Sequence, residues 1–292
     1  MNGQSVVVAR LSPGDKAEVL VEALPYIRRF RGTRVVVKYG GNAMAGSEQL
    51  SLFAEDVVLL QSVGIDIVVV HGGGPQIGEL MVRLGKVPEF IDGLRVTDAD
   101  TLDIARMVLV GKVNRDIVAA MNTHGALAVG VSGEDAGLLA ATRRSPELGF
   151  VGDIVEVRPA ILDRLLREEL VPVVATIGSD SAGQAYNINA DTAAGAIAEA
   201  LGAEKLVYLT DVEGLRTDVD DPGSIVSELG VHALDAMIAD GSVAGGMIPK
   251  AASCVQAIKG GVGHAHILDG RVPHALLLEV FTRSGVGTMV AG

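Results

Sequence analysis

The sequence predicts an α/β sandwich with a mainly parallel central sheet. Two observations carry this expectation. Short runs of β-branched and apolar residues alternate with segments of helical spacing along most of the chain. Several of those runs also end in glycines or polar residues just before a helix start, the arrangement of an open α/β sheet. With 292 residues, 49% of them hydrophobic, the chain can form one large domain or two lobes around a substantial core.

Residues 1–11 carry no pattern. Ser12-Pro13-Gly14-Asp15 reads as a helix start, with serine as N-cap, proline at the first helical position and an acid three residues after the serine. Ala17, Leu20, Leu24 and Ile27 follow at helical spacing, and Pro25 is expected to kink or divide this helix. Because it precedes the first core strand, the helix is expected outside the main sheet. Its apolar stripe packs either on its own subunit or on another copy.

Val35-Val36-Val37 reads as a strand buried on both faces, running into Lys38 and then Gly40-Gly41. A lysine beside bare amides suits an anion, although alone the stretch is equally an ordinary turn with an exposed lysine. A helix over 48–63 leads to a second buried strand, Gly64 to His71, which ends in Gly72-Gly73-Gly74-Pro75 ahead of a helix over 76–84. That glycine run is equally a tight connection. Gly93-Leu94-Arg95-Val96-Thr97 presents one arginine on a short turn, before a single capped helix over 98–121. Strands are expected over 125–132, 150–157 and 170–177, with a helix over 160–169. The Ser, Asp and Gly cluster at 178–183 is expected to join two lobes. Asn187-Ile188-Asn189-Ala190-Asp191 opens a helix to Leu201, and Lys205 to Asp211 is a strand. A polar loop over 217–223 precedes a helix over 232–240, and Gly245 to Lys250 leads into a helix ending near Ile258. Residues 264–268 and 275–281 read as the last clear strands, with a short one at 288–290.

Composition excludes several classes of function. With 36 acidic against 24 basic residues the net charge is −12, which disfavours broad nucleic-acid or anionic-membrane binding. The single cysteine, Cys254, makes no intramolecular disulfide. The apolar runs are too short to span a bilayer and the start lacks a signal-peptide pattern, so a cytoplasmic location is expected. There is no Walker-type G-x-x-x-x-G-K-[ST], no G-x-G-x-x-G and no G-x-S-x-G. His264-x-His266 lacks a further ligand at metal spacing and reads as structural. Singly, Lys250 is a solvated helix residue, Asp191 a helix-start acid, and Asn187 and Asn189 capping residues.

Taken together and in order, the motifs are more specific. Lys38-Tyr39-Gly40-Gly41-Asn42, His71-Gly72-Gly73-Gly74-Pro75, Asp92-Gly93-Leu94-Arg95-Val96-Thr97, residues 187–191, Leu209-Thr210-Asp211-Val212 and Gly246-Met247-Ile248-Pro249-Lys250 resemble the acetylglutamate kinases of the amino-acid kinase family, from about residue 15 onward. The resemblance implies a three-layer αβα sandwich of two lobes: an N-terminal tail and kinked helix over 1–33, an acetylglutamate-binding lobe over 34–180 and an ATP-binding lobe over 181–292. It implies that Gly73, Gly74, Arg95 and Asn187 bind substrate, and that Gly40, Gly41, Thr210, Asp211 and Lys250 surround ATP, whose Mg²⁺ comes with it. Lys38 and Lys250 would approach the transferred phosphoryl group, with Asp191 holding both. The nucleophile would be a carboxylate already ionised at neutral pH, so no general base is required.

Family members inhibited by arginine carry an extra N-terminal helix and a distinctive C-terminal run. Residues 15–30 resemble the first; His274 to Glu279 with Thr282 to Thr288 resemble the second. The resemblance implies a homohexamer, a trimer of dimers joined through the helices, and an arginine site near Tyr26, Lys205, His274, Glu279 and Gly285. Kinases of other small acids or nucleotides, and a sensor that has lost turnover, are the competing readings.

Overall fold

The computed structural model describes residues 12–41, 46–216, 221, 223–243, 245–282 and 285–292. Of the sequence expectations, residues 1–11, Asn42, most of the 217–223 loop, Arg283 and Ser284 lie outside the described residues. The chain begins with α1 (Pro13–Phe30), β1 (Arg34–Tyr39), α2 (Ser47–Ser62), β2 (Asp66–His71) and α3 (Gly74–Arg83). A hairpin of β3 (Phe90–Ile91) and β4 (Leu94–Arg95) leads to α4 (Ala99–Arg106), a π-helical stretch (Met107–Val113) and α5 (Asn114–Asn122). Next come β5 (Ala128–Ser132), β6 (Leu139–Arg143), β7 (Val151–Val157), α6 (Ala160–Arg167), β8 (Val171–Ala175), β9 (Ile177–Ser179) and β10 (Ala185–Ile188). The remainder is α7 (Ala190–Leu201), β11 (Lys205–Thr210), β12 (Glu228–Gly230), α8 (Val231–Ala239), α9 (Met247–Lys259), β13 (His264–Asp269), α10 (Ala275–Phe281) and β14 (Gly287–Ala291).

The central sheet has eight strands in the order β12-β14-β13-β11-β1-β2-β8-β5. Every neighbouring pair is parallel except β13 with β14. A second, closed set is formed by β10, β7, β6 and β9. Alternation along β1 defines the layers. Val35, Val37 and Tyr39 join the core beneath α2, α5 and α10, whereas Val36 joins the core beneath α7 and α9. β1 therefore lies inside a three-layer αβα sandwich, and the order reverses around it: β2 follows on one side, β11 on the other. Such a switch point, at the carboxyl ends of the strands, is where open α/β sheets bind ligands.

At the N-terminus, Ser12 and Asp15 form the expected capping box: the Asp15 amide donates to Ser12 Oγ at 3.1 Å and the Ser12 amide to Asp15 Oδ2 at 2.9 Å. Pro25 does not divide α1, which runs through it as one helix. The single helix expected over 98–121 contains a π-helical turn. The strand expected over 170–177 splits, β8 staying in the central sheet while β9 joins the small one. The 178–183 cluster is the turn of the β9–β10 hairpin, closed by Gly183 at φ 83° and by the Asp180 amide on the Gln184 carbonyl. Turn residues mark a reversal, not which bodies it connects. The segment 275–281, read as a strand, is α10; nearly continuous apolarity gives no period to separate the two forms over seven residues. Among the described residues, no helix is long and apolar enough to cross a membrane.

Candidate active site

At the carboxyl end of β1, Lys38 turns its side chain toward the first turn of α7. That helix starts where it does because Asn189 caps it, its Oδ1 accepting from the amides of Asp191 and Thr192 at 2.9 and 3.0 Å. Asp191 is thereby held in the first turn, and α9 brings Lys250 to it from the other side. Lys38 Nζ lies 3.0 Å from Asp191 Oδ1 as an ion pair, and Lys250 Nζ donates to Oδ2 at 3.1 Å. Each ammonium takes one oxygen of a carboxylate that is only 7% exposed. Burial alone would raise the Asp191 carboxyl, but the charges of Lys38 and Lys250 outweigh it and hold the group below its usual value.

Two residues without any sequence signal fix this arrangement. The Ser253 hydroxyl on α9 donates to the Asp191 carbonyl at 2.9 Å, and the buried Tyr208 hydroxyl lies 2.6 Å from Ser253 Oγ. Gly195 on α7 makes the contact possible, since a Cβ there would collide with Ser253 Oγ.

A cavity of about 400 Å³ opens above the triad. Its walls bring together Lys38, Gly41, Gly73, Gly74, Arg95, Asn187, Asp191 and Lys250. Gly40 is not in the wall; it makes room beside it, because a Cβ there would lie 3.0 Å from Lys38 Nζ. The 72–74 glycines lead into α3, whose first amides have no intrahelical partner and carry the positive end of the helix dipole. Arg95 reaches the cavity from a tight hairpin whose central residues, Asp92 and Gly93, have φ 50° and 77°. Its guanidinium donates to the Gly74 carbonyl at 2.9 Å and stacks 4.8 Å from the Phe90 ring. Asn187 lies on β10 rather than capping a helix, and donates across to Thr97 Oγ1 at 3.4 Å.

Thr210 and Asp211, at the end of β11, stand apart from that cavity. Asp211 borders a neighbouring one of about 310 Å³, together with Gly214, Leu215 and Met247. Met247 opens the same helix that carries Lys250, so α9 touches both spaces.

A separate cavity of about 420 Å³ lies between α1, α10 and the amino ends of β11 and β13, and contains Tyr26, Lys205, Glu279 and Gly285. His274 does not line it. Its ring, at φ 58° just before α10, instead contacts Asp56 Oδ1 at 2.6 Å; burial, against the pull of His274, pushes that carboxyl up to about 6. His266 takes the place expected for it. Lys205 Nζ lies 3.0 Å from His266 Nε2, and His266 Nδ1 lies 2.8 Å from Glu279 Oε1, forming a buried Lys–His–Glu row. An ammonium only donates, so Nε2 accepts and Nδ1 carries the ring proton. The alternation of His264 and His266 on β13 was the available signal. Which of the two faced a cavity depended on packing.

Comparison with known proteins adds the lineage. Residues 33–269 match the sequence model of the amino acid kinase family. The chain is 55% identical to the acetylglutamate kinase of Symbiobacterium thermophilum, over 94% of this chain and 97% of that one, and 54% identical to that of Saccharopolyspora erythraea, over 98% and 97%. Its fold also superposes, with a TM-score of 0.79 and 30% identity, on N-acetylglutamate synthase from Neisseria gonorrhoeae complexed with coenzyme A and L-arginine, covering 94% of this chain but 65% of that one. On fold and sequence alike, the chain belongs to the amino acid kinase family, among its acetylglutamate kinases.

Proposed function

We propose that the chain transfers the terminal phosphoryl group of ATP to the γ-carboxylate of N-acetyl-L-glutamate, forming N-acetyl-L-glutamyl 5-phosphate for arginine biosynthesis in the cytoplasm. The observation that carries this reading is the pair of lysines on one buried carboxylate, in a cavity that also holds Arg95 and the glycine run. Arg95 can hold the substrate's α-carboxylate with two parallel hydrogen bonds, while Gly73, Gly74 and Asn187 supply neutral polar groups around it. Gly40, Gly41, Thr210 and Asp211 border ATP, which enters with Mg²⁺ on its phosphate oxygens. Residues 34–180 bear most of the substrate half and residues 181–292 most of the nucleotide half, with Asn187 and Gly40-Gly41 crossing between them over one continuous sheet. Since the attacking carboxylate is ionised at neutral pH, catalysis rests on positioning and on stabilising charge spread over the phosphoryl oxygens.

A substrate panel tests this. With ATP and hydroxylamine to trap acyl phosphate, acetylglutamate should give hydroxamate, whereas aspartate, glutamate, carbamate and nucleoside monophosphates should give little phosphoryl transfer. No product with acetylglutamate would leave a sensor that has lost turnover as the better reading.

Arginine is the proposed feedback inhibitor, bound in the cavity of Tyr26, Lys205, Glu279 and Gly285. Its supports are the Glu279 carboxylate, 9% exposed and suited to a cationic ligand, and the relationship to a protein solved with L-arginine. The exposed apolar face of α1, with Val19, Leu20, Val21 and Leu24 each 45–70% accessible, supports pairing with the same helix of another copy in a hexamer. Millimolar arginine should inhibit the unaltered protein, and Glu279→Gln should weaken inhibition while leaving uninhibited turnover near normal. Activity indifferent to arginine would remove the regulatory part of the proposal alone.

A further inference from the structure

Three successive glycines have little intrinsic preference for one conformation, yet the proposed substrate site requires them to hold one. His71, the last residue of β2, is fully buried directly before them. Its Nδ1 lies 3.0 Å from the Gly72 carbonyl, which can only accept, so Nδ1 carries the ring proton. Nε2 is then an acceptor, and the Asn114 side-chain amide donates to it at 3.1 Å. The same amide nitrogen donates to the Val173 carbonyl at 2.8 Å, while the Arg115 guanidinium donates to Asn114 Oδ1. Every partner demands the same orientation of Asn114 and the same tautomer of His71. Burial pushes the imidazole down to about 4, so the ring is neutral under ordinary conditions.

Asn114 reaches this position immediately after the π-helical stretch Met107–Val113. Such stretches are rare and recur at functional sites. Here the stretch also covers the loop directly: a Cβ on Gly73 would come 2.7 Å from Leu109 Cδ2 and 3.2 Å from Val113 Cγ2. On the opposite side, Gly130 of β5 pairs with Val173 and leaves the space that Asn114 and Arg115 occupy.

We infer that His71 and Asn114, set in place by the π-helical stretch, are positioning residues for the 72–74 loop, and so determine how tightly the acylated amino acid is held. The physical link is the peptide plane. Tying the Gly72 carbonyl to His71 turns the following Gly73 N–H away from the ring, and Gly73 itself lines the cavity. This inference rests on the substrate proposed above.

Three variants test it: Asn114→Leu, close in volume but without a donor; His71→Phe, which keeps a ring; and Gly130→Ala, which displaces Asn114. Each should raise KM for acetylglutamate roughly tenfold to a hundredfold, with KM for ATP within about twofold. Hydrogen exchange in the peptide spanning 71–78 should quicken in each variant while that of β1 is unchanged. A folded Asn114→Leu or His71→Phe protein with normal KM for acetylglutamate and normal exchange overturns the inference. If the unaltered protein does not phosphorylate acetylglutamate, the substrate assignment falls, and loop exchange alone decides the positioning role. The unaltered protein gives a check that needs no variant: nitrogen NMR should show His71 as the Nδ1–H tautomer, not titrating above about pH 5. An Nε2–H tautomer, or titration near the ordinary 6.5, overturns the inference.

Discussion

Lys38→Ala and Lys250→Ala are each expected to lower turnover about a hundredfold or more while the protein stays folded. During transfer, negative charge spreads over the equatorial oxygens of the phosphoryl group, and fixed positive charge aimed at them is the main aid the protein can give. Both ammoniums project into the cavity, yet both are restrained by Asp191, so little reorganisation is needed when charge develops. The loss should therefore fall chiefly on kcat rather than on KM, since the interaction is strongest in the transition state. The fold survives either change because Asp191 keeps one cationic partner: Lys250 at 3.1 Å in the first variant, Lys38 at 3.0 Å in the second. Steady-state kinetics on both substrates, with a thermal melt as control, check this. Near-normal turnover in either variant would remove the assignment of roles.

How much of this was legible in the residues alone depends on what kind of contact each residue makes. β1 and β2 were readable because central parallel strands are apolar on both faces, and Val35-Val36-Val37 and Ile67 to Val70 contain nothing else. α7 was readable from Asn189 and its small apolar face. The small closed sheet was not: of its strands only β7 was expected as such, because β6, β9 and β10 are short and owe their pairing to distant partners. In the site, Lys38, Asp191 and Lys250 are ordinary residues taken singly, far apart in the chain; matched motifs, not periodicity, grouped them. Tyr208, Ser253 and Asn114 had no such help. They hold backbone carbonyls, and a residue that serves a backbone atom leaves no pattern of side-chain types to find. His266 and His274 show a different limit: both contact side chains, and the helical form of α10, which the apolar run 275–281 does not reveal, accompanies His274 on Asp56 and His266 in the cavity.

Asp191→Asn should be the most damaging single change, because it acts on both lysines at once. The amide keeps the shape of the carboxylate but removes the charge shared by the buried Lys38 ammonium and the partly buried Lys250 ammonium. Removing one side of a buried ion pair typically costs about 3–5 kcal/mol, because the charge left behind loses its partner. A loss of that size lowers the melting temperature by on the order of 10 °C in a protein of this length. Turnover should also fall about a hundredfold or more, since the lysines lose the anchor that aims them. The pH dependence separates this from general damage. The folded-state pKa of Asp191 is depressed below its usual 3.8, so in the unaltered protein its contribution is present above that value and is lost as pH falls through the folded pKa. Asp191→Asn has no such contribution to lose. Its melting temperature should start lower at neutral pH and approach that of the unaltered protein as both are acidified below about pH 4. A variant that melts at the normal temperature at neutral pH, or whose deficit is the same at every pH, would show that the carboxylate does not hold the two lysines together.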